Sequence, residues 1–264
     1  MKEERINLVE EFINQRGIVT IPELCDKFNV SVNTVRRDLN TLEQQSKIQK
    51  VYGGAKRLDP SAEASGGGEL LRDYSDRIVR NSDQKIIIAK TAASFIQEGD
   101  TIFIDTGTST VPLVDYIPRN IHLTIVSNSI YVLSRALSLV NATIIGLPGT
   151  MKFKTASLVG VECYQMLERY TFNKAFMACS SISLQQGISN SSQEEFQIKR
   201  RVLERSQEHF LLVDSSKFDK TALLGFAKLE DFDYIISEKN PPQKYLDYFK
   251  EYKIHFITPD ESVQ

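Results

Sequence analysis

The chain has 264 residues, 41% of them hydrophobic and 25% charged, with a formal net charge of -2 at pH 7, which excludes disordered and fibrous classes and leaves room for one large core or two domains. No run approaches the ~18 uncharged apolar residues of a membrane span, and the opening MKEERINLVEEF is too acidic and interrupted for a signal peptide, so a cytoplasmic protein with no membrane partner is expected. Cys25, Cys163 and Cys179 lie far apart with no C-x-x-C and only three histidines in the chain, so neither a disulfide framework nor a metal site is expected and the thiols read as buried apolar groups.

Ile6, Val9, Phe12 and Ile13 recur on one face of a first helix, which Gly17 stops. IPELCDKF then places Pro22 in the first turn of a second helix, with Leu24 and Phe28 apolar at i and i+4. After the short turn Asn29-Val30, Ser31 caps a third helix whose apolar set is Val32, Val35, Leu39 and Leu42. Its complement carries Asn33, Thr34, Arg36, Arg37 and Asn40. Three helices with short connections, the last polar and basic on its outer face, predict a helix-turn-helix. KIQKVYGGAKR adds two basic arms around Gly53-Gly54, the pattern of a hairpin wing. From Lys27 to Arg57 seven basic residues face two acidic ones, Asp38 and Glu43, a local footprint for a polyanion that the overall charge hides.

Residues 58–68, LDPSAEASGGG, break every periodic pattern and read as a flexible linker between domains 1–57 and 69–264. Beyond it, short apolar runs alternate with helix-length segments: TIFID (101–105), LTIVS (123–127), ATIIG (142–146), KAFMAC (174–179), HFLLVD (209–214), DYIIS (233–237) and IHFIT (254–258). That rhythm predicts an α/β domain with a mainly parallel sheet covered on both faces.

Chemistry follows from what stands at the ends of these elements. Arg36 and Arg37 can fork onto guanine or clamp phosphates, and Asn33 or Asn40 can pair with adenine; a solvated helix with Arg37 paired to Glu43 or Asp38 is the plainer alternative. In a parallel sheet ligands gather beyond the carboxyl ends of strands, where this sequence collects Asp105, Thr106, Gly107, Thr108, Ser109 and Thr110, then Ser127, Asn128 and Ser129, then Gly146 to Gly149, then Asp214 to Lys217. In IDTGTST a glycine admits close approach, hydroxyls add donors, and the N–H groups opening the next helix favour an anion, with Lys217 available as the opposing cation. A phosphate monoester fits that set, and so does plain helix capping. Lys199, four residues after Glu195, reads as half of a surface i,i+4 pair.

These motifs resemble the DeoR family of bacterial transcriptional regulators over essentially the whole chain. VSVNTVRRDLNTLE is similar to the family's V-S-x-x-T-[IV]-R-R-D-L-x-x-L-E, and VYGGA to the end of its wing, with Tyr52 where His is usual. IDTGTST resembles D-x-G-T-[ST]-T, VSNS resembles T-N-S, and LVDSSKF resembles D-x-S-K-F. The resemblance implies a winged helix-turn-helix followed by an α/β effector domain similar to ribose-5-phosphate isomerase A and CoA-transferases, a phosphorylated sugar as effector rather than a cofactor, and a homo-oligomer of two or four chains. Departures are GLPG at 146–149 in place of G-G, Ser181 for a frequent Gly and Asn190 for a frequent Thr, which should alter ligand selectivity.

A repressor controlled by a sugar phosphate is thus expected, with operator contacts from Ser31, Asn33, Thr34, Arg36, Arg37 and Asn40 and wing contacts from Lys50, Tyr52 and Lys56. Effector contacts are expected from residues 105–110, Ser127, Asn128, Ser129, Gly146, Gly149 and Lys217. Residues 178–190 hold no Asp or Glu, so the general acid-base chemistry of an isomerase lacks its groups there and no catalytic residue is assigned. A sugar-phosphate isomerase with a DNA-binding appendage, and a DNA-binding protein whose α/β domain is only an oligomerisation scaffold, are the rival readings.

Overall fold

The computed structural model describes residues 2–45, 47–51, 54–57 and 74–259. Two compact units emerge, the first from residues 2–57 with 75–80, the second from residue 74 with 81–259. The expected linker, 58–68, lies outside the described residues, as do Tyr52 and Gly53 of the wing.

The first unit runs α1 (Lys2–Arg16), β1 (Ile18–Thr20), α2 (Ile21–Phe28), α3 (Val32–Gln44), β2 (Ile48–Val51) and β3 (Gly54–Arg57). Gly17, at φ +77, ends α1 and donates its N–H to Ile13 O, a left-handed conformation glycine takes without steric cost. Thr20 and Glu23 form a reciprocal capping box that fixes the start of α2 behind Pro22. Asn29 turns left-handed at its end, and Ser31 Oγ accepts from Thr34 N at 3.3 Å to start α3. Val35, Leu39 and Leu42 of α3 are buried with Ile6, Val9, Ile13, Val19 and Leu24, each large side chain contributing about 1.5–3 kcal/mol of burial. Val32 is 45% exposed; it precedes the first full turn and lies outside the core stripe, contrary to the periodic assignment. The antiparallel order β1-β3-β2 contains a strand, β1, that three residues of sequence could not announce. Gly54 serves that pairing, since a Cβ there would stand 1.9 Å from Val19 O.

After α4 (Tyr74–Val79), the second unit contains α5 (Ser82–Ala93), β4 (Thr101–Ile104), β5 (Leu123–Ser127), α6 (Ile130–Ala136), β6 (Ala142–Gly146), β7 (Thr150–Lys152), β8 (Ser157–Val159), α7 (Val161–Leu167), β9 (Phe172–Met177), β10 (Ser181–Ser183), β11 (Gly187–Asn190), α8 (Gln193–Glu204), β12 (Ser206–Leu212), β13 (Leu224–Ala227), β14 (Tyr234–Ile236), α9 (Gln243–Tyr252) and β15 (His255–Ile257). The seven apolar runs are the seven strands of one sheet, ordered β15-β14-β12-β9-β4-β5-β6, with every pairing parallel. Ile102, Phe103, Ile104, Ile125, Val126, Phe176, Phe210, Leu211 and Leu212 are fully or almost fully buried, as continuous apolar strands covered on both faces must be. The chain adds strands in one direction from β4 to β6, then resumes at β9 on the other side of β4. The strand order therefore reverses between β4 and β9, the position beyond whose carboxyl ends open parallel sheets bind ligands.

Two small elements go beyond the sequence reading: the β7–β8 hairpin and an antiparallel sheet β10-β11-β13. Below the main sheet, at its amino edge, Lys174 Nζ and Asp100 Oδ2 pair at 2.6 Å, both 9% exposed.

Candidate DNA interface and effector site

On α3, Asn33, Arg36, Arg37 and Asn40 are exposed and Thr34 is half-buried. The plainer alternative for Arg37 does not hold: Asp38, 2% exposed, takes Arg5 Nε at 2.7 Å, and Glu43 takes Lys50 Nζ at 2.9 Å. Arg5 thus ties α1 to α3 on its inner side, and neither Arg36 nor Arg37 has an ion-pair partner among the described residues. Two guanidinium groups are left for phosphate or base edges. Asn40 Oδ1 is engaged by Lys50 Nζ at 2.7 Å, so these two residues brace β2 on α3 and are less available as separate contacts. Ser31 and Thr34 are spent largely on the cap, their hydroxyls 3.0 Å apart. Lys56 lies half-buried on β3.

In the second unit the loops beyond the carboxyl ends of β4 and β9 are built around a buried ion pair. Asp105 is 2% exposed, and its Oδ2 accepts from Ala178 N at 3.0 Å and from Lys199 Nζ. Lys199 also donates to Ala178 O at 2.8 Å. Lys199 is therefore not a surface partner of Glu195; it is 4% exposed because α8 packs its inner face against the sheet and the amine meets the carboxylate there. Helix periodicity shows Lys199 beside buried Ile198 but gives no sign of a counterion 94 residues away. Glu195 instead accepts from Thr106 Oγ1 at 3.3 Å. This brings to the loop a carboxylate from outside residues 178–190, the stretch that holds no Asp or Glu.

The pairing of Asp105 with Lys199 has an electrostatic consequence: the loop's own negative charge is matched from below. Above it, the N–H groups of Thr106, Gly107, Thr108 and Ser109 donate to no acceptor among the described residues, and the hydroxyls of Thr108 and Ser109 make no hydrogen bond there. Successive open N–H groups form an anion-binding concavity. Gly107 is required by crowding, since a Cβ would fall 2.2 Å from Ala178 Cβ. Thr110 turns inward, its Oγ1 donating to Asp105 O at 2.7 Å and Gly107 O at 2.8 Å. The expected helix after the loop is a 3-10 helix, Val111–Tyr116, whose shorter repeat lets Pro112 and Leu113 bury at once.

Around this loop the other residues divide. Ser127 Oγ donates to Ile104 O at 2.6 Å and accepts from Ser129 N, while Ser129 Oγ caps α6; both are structural. Asn128 Nδ2 donates to Leu158 O at 2.9 Å, and its Oδ1 has no partner among the described residues. Gly149 is held at φ +147 with Val159 O 2.5 Å from where a Cβ would stand, so it serves the approach of β8. Leu147 is 1% exposed and joins the core; it does not face a ligand. Gly146 is exposed at the end of β6. Lys217, half-buried in the 3-10 turn Ser215–Lys217, makes no ion pair among the described residues. Burial pushes the Cys179 thiol up to about 12, against the positive charges of Lys217 and Lys199, which places this half-buried cysteine within their field. Asp214 is fixed by Asn81 Nδ2 at 3.0 Å and Ser216.

Beyond these, buried polar atoms without a partner among the described residues include Ser181 Oγ and both ends of the Asn190 amide, each costing about 1–3 kcal/mol if left unsatisfied.

Residues 5–61 match the model of the DeoR-like helix-turn-helix domain and residues 80–239 that of the DeoR C terminal sensor domain. The chain belongs to the DeoR family. The HTH-type transcriptional regulator IolR of Bacillus subtilis is 37% identical to this DeoR-family protein over 96% of the chain and 98% of the relative. The lactose phosphotransferase system repressor of Staphylococcus epidermidis is 32% identical over 92% and 94%. Among solved structures, ribose 5-phosphate isomerase A from Methanocaldococcus jannaschii matches with TM-score 0.37 and 17% identity over 52% of this chain and 55% of that one. This DeoR-family protein is a transcriptional regulator with an N-terminal DNA-binding helix-turn-helix and a C-terminal sensor domain, and among its described residues no helix is long and apolar enough to cross a membrane.

Proposed function

We propose that the protein is a cytoplasmic, homo-oligomeric repressor of a carbohydrate-uptake or carbohydrate-use operon, and that a phosphorylated sugar bound at the carboxyl edge of the main sheet controls its hold on the operator. The observation that carries the effector half is the set of open N–H groups from Thr106 to Ser109, lying over an internally neutralised Asp105–Lys199 pair. A phosphate dianion satisfies those donors, and Lys217 supplies charge from the turn after β12, two strands from β4 in the sheet. Arg36 and Arg37, exposed and without an ion-pair partner among the described residues, support operator binding, and the similarity to a lactose phosphotransferase system repressor supports a carbohydrate operon. The role is binding without turnover: the effector favours one of two regulator states by its difference in affinity, ordinarily about 1–3 kcal/mol.

The test is a thermal-shift and operator-retardation pair on the full chain, with sugar phosphates and their unphosphorylated counterparts. A saturating effector at about 100 times its Kd adds about 2.7 kcal/mol, a rise of roughly 5–10 °C for a domain of this size. No response to any phosphorylated compound refutes the effector half and leaves the regulator standing.

A further inference from the structure

Asn81 stands at the N-cap of α5, and its side chain caps nothing. An asparagine in that position ordinarily turns its side chain onto the first N–H groups of its own helix, and Asn81 makes no such bond. Its amide instead reaches a turn 133 residues along the chain, where Nδ2 donates to Asp214 Oδ1 at 3.0 Å and to Ser216 Oγ at 3.3 Å. The backbone at Asn81 is left-handed, at φ +56, a conformation that asparagine and aspartate bear better than other residues with a side chain.

That turn does not need Asn81 for its shape. Ser215 N donates to Glu238 Oε2 at 3.0 Å, Ser216 N to Asp214 Oδ1 at 3.1 Å and Lys217 N to Asp214 O at 3.1 Å, while Ser216 Oγ closes on the same carboxylate. The bond from Asn81 therefore fixes the chain at residue 81 to a turn that is already formed, the one that carries Lys217.

Residue 81 is where the chain re-enters the sensor unit. Residues 75–80 group with the first unit, whereas Tyr74 before them and Asn81 after them belong to the second. Tyr74 is fastened as well: its ring stacks on Tyr131 of α6, with 4.4 Å between centroids and 6° between planes. Each flank of α4 is thus held to an element that follows a strand at the carboxyl edge of the sheet, α6 after β5 and the Ser215–Lys217 turn after β12. Of the two fastenings, Asn81 is the one whose turn carries a cation for an anionic ligand.

We propose that Asn81 couples the effector site to the DNA-binding unit. A phosphate that draws Lys217 shifts the turn, and the Asn81 amide carries that shift to the point where the chain leaves for the other unit. Lys217 as a phosphate partner rests on the function proposed above; the tie from Asn81 to the turn stands on the hydrogen bonds.

The experiment compares the full chain with its Asn81→Gly and Asn81→Asp variants. Glycine takes the left-handed backbone without an amide. Aspartate keeps the backbone preference and can cap α5, but it cannot donate and it faces Asp214 with like charge. Operator retardation is measured on a duplex that wild type selects from a random pool, with and without inorganic phosphate, D-ribose 5-phosphate, D-fructose 6-phosphate or D-glucose 6-phosphate. Calorimetry gives the affinity for each probe. At least one sugar phosphate should change the operator affinity of wild type by about 5- to 150-fold. Both variants should bind that probe within about 3-fold of wild type and still retard the operator, with a response below about 2-fold. Variants that respond as wild type does would overturn the coupling and leave the effector site intact. So would uncoupling in Asn81→Gly alone, which traces the effect to backbone freedom. A fall in melting temperature with loss of both probe and operator binding would make Asn81 merely structural, and loss of probe binding alone would make it part of the binding surface; either overturns the proposal. A wild type whose operator affinity no probe alters would sink the effector reading itself, and the coupling with it.

Discussion

Replacing Lys199 with Met tests whether the Asp105–Lys199 pair supports the sensor domain. Both side chains are almost fully buried, at 5% and 3% exposure, so removing the amine strands a carboxylate that keeps only the Ala178 N–H. Breaking one side of a buried pair costs about 3–5 kcal/mol. For a domain of this length, 1 kcal/mol moves Tm by about 2–4 °C, giving an expected fall of roughly 6–20 °C. The double variant Asp105→Asn/Lys199→Met removes both charges and should recover a good part of that loss, because neutral replacement of a buried pair is far cheaper than halving it. Urea unfolding of wild type, both single variants and the double variant closes the cycle. A single variant within about 1 kcal/mol of wild type, or a double variant as costly as the two singles combined, would refute the argument that the two charges neutralise one another beneath the loop.

Arg36→Ala/Arg37→Ala should abolish operator retardation while leaving any effector-induced melting shift unchanged; retention of salt-dependent operator binding with an unaltered slope would count against α3 as the reading element. Lys217→Ala should do the reverse, keeping operator affinity and losing the response to a sugar phosphate, as read by the same two assays. Gly107→Ala inserts a methyl 2.2 Å from Ala178 Cβ and should cost about 1–3 kcal/mol in urea unfolding, together with the effector response. Burial raises the Cys163 thiol from 9.0 to about 12. The folded chain therefore keeps a proton that the unfolded chain releases, so this contribution is full below pH 9 and is lost as pH rises toward about 12; Cys163→Ala should flatten the alkaline decline of the urea midpoint.

The helix-turn-helix and all seven strands of the parallel sheet were legible because each rests on a local period: Val35, Leu39 and Leu42 at helical spacing, and unbroken runs such as TIFI and ATIIG in strands covered on both faces. Strands of three or four residues such as Ser181–Ser183, rich in serine, have no period to read. The loop at 105–110 was visible as a composition, but the division of labour within it was not. Asp105 and Thr110 are committed to Lys199, Ala178 and the loop's own carbonyls by contacts that topology alone creates. Lys199 was misread for the same reason: i,i+4 spacing to Glu195 is local, whereas its counterion arrives through the reversal of strand order between β4 and β9. Ser181 and Asn190 stood out only as departures from a family pattern, and that they bury polar atoms with no partner among the described residues emerges only from the packing.

The two buried lysine pairs also bear on how strand β4 finds its place. Asp100 and Asp105 bracket it, and they meet Lys174 on β9 and Lys199 on α8. Past Thr101 the strand between is apolar, Ile102 to Ile104, so its hydrogen bonds alone would tolerate a shifted alignment with β9 nearly as well. A slip by one residue moves each carboxylate about 3.3 Å and turns its side chain to the other face, leaving all four charges buried and uncompensated at once. The acids at either end therefore act as paired stops that make one alignment decisively better than its neighbours, and the loop that follows Ile104 inherits a fixed starting point.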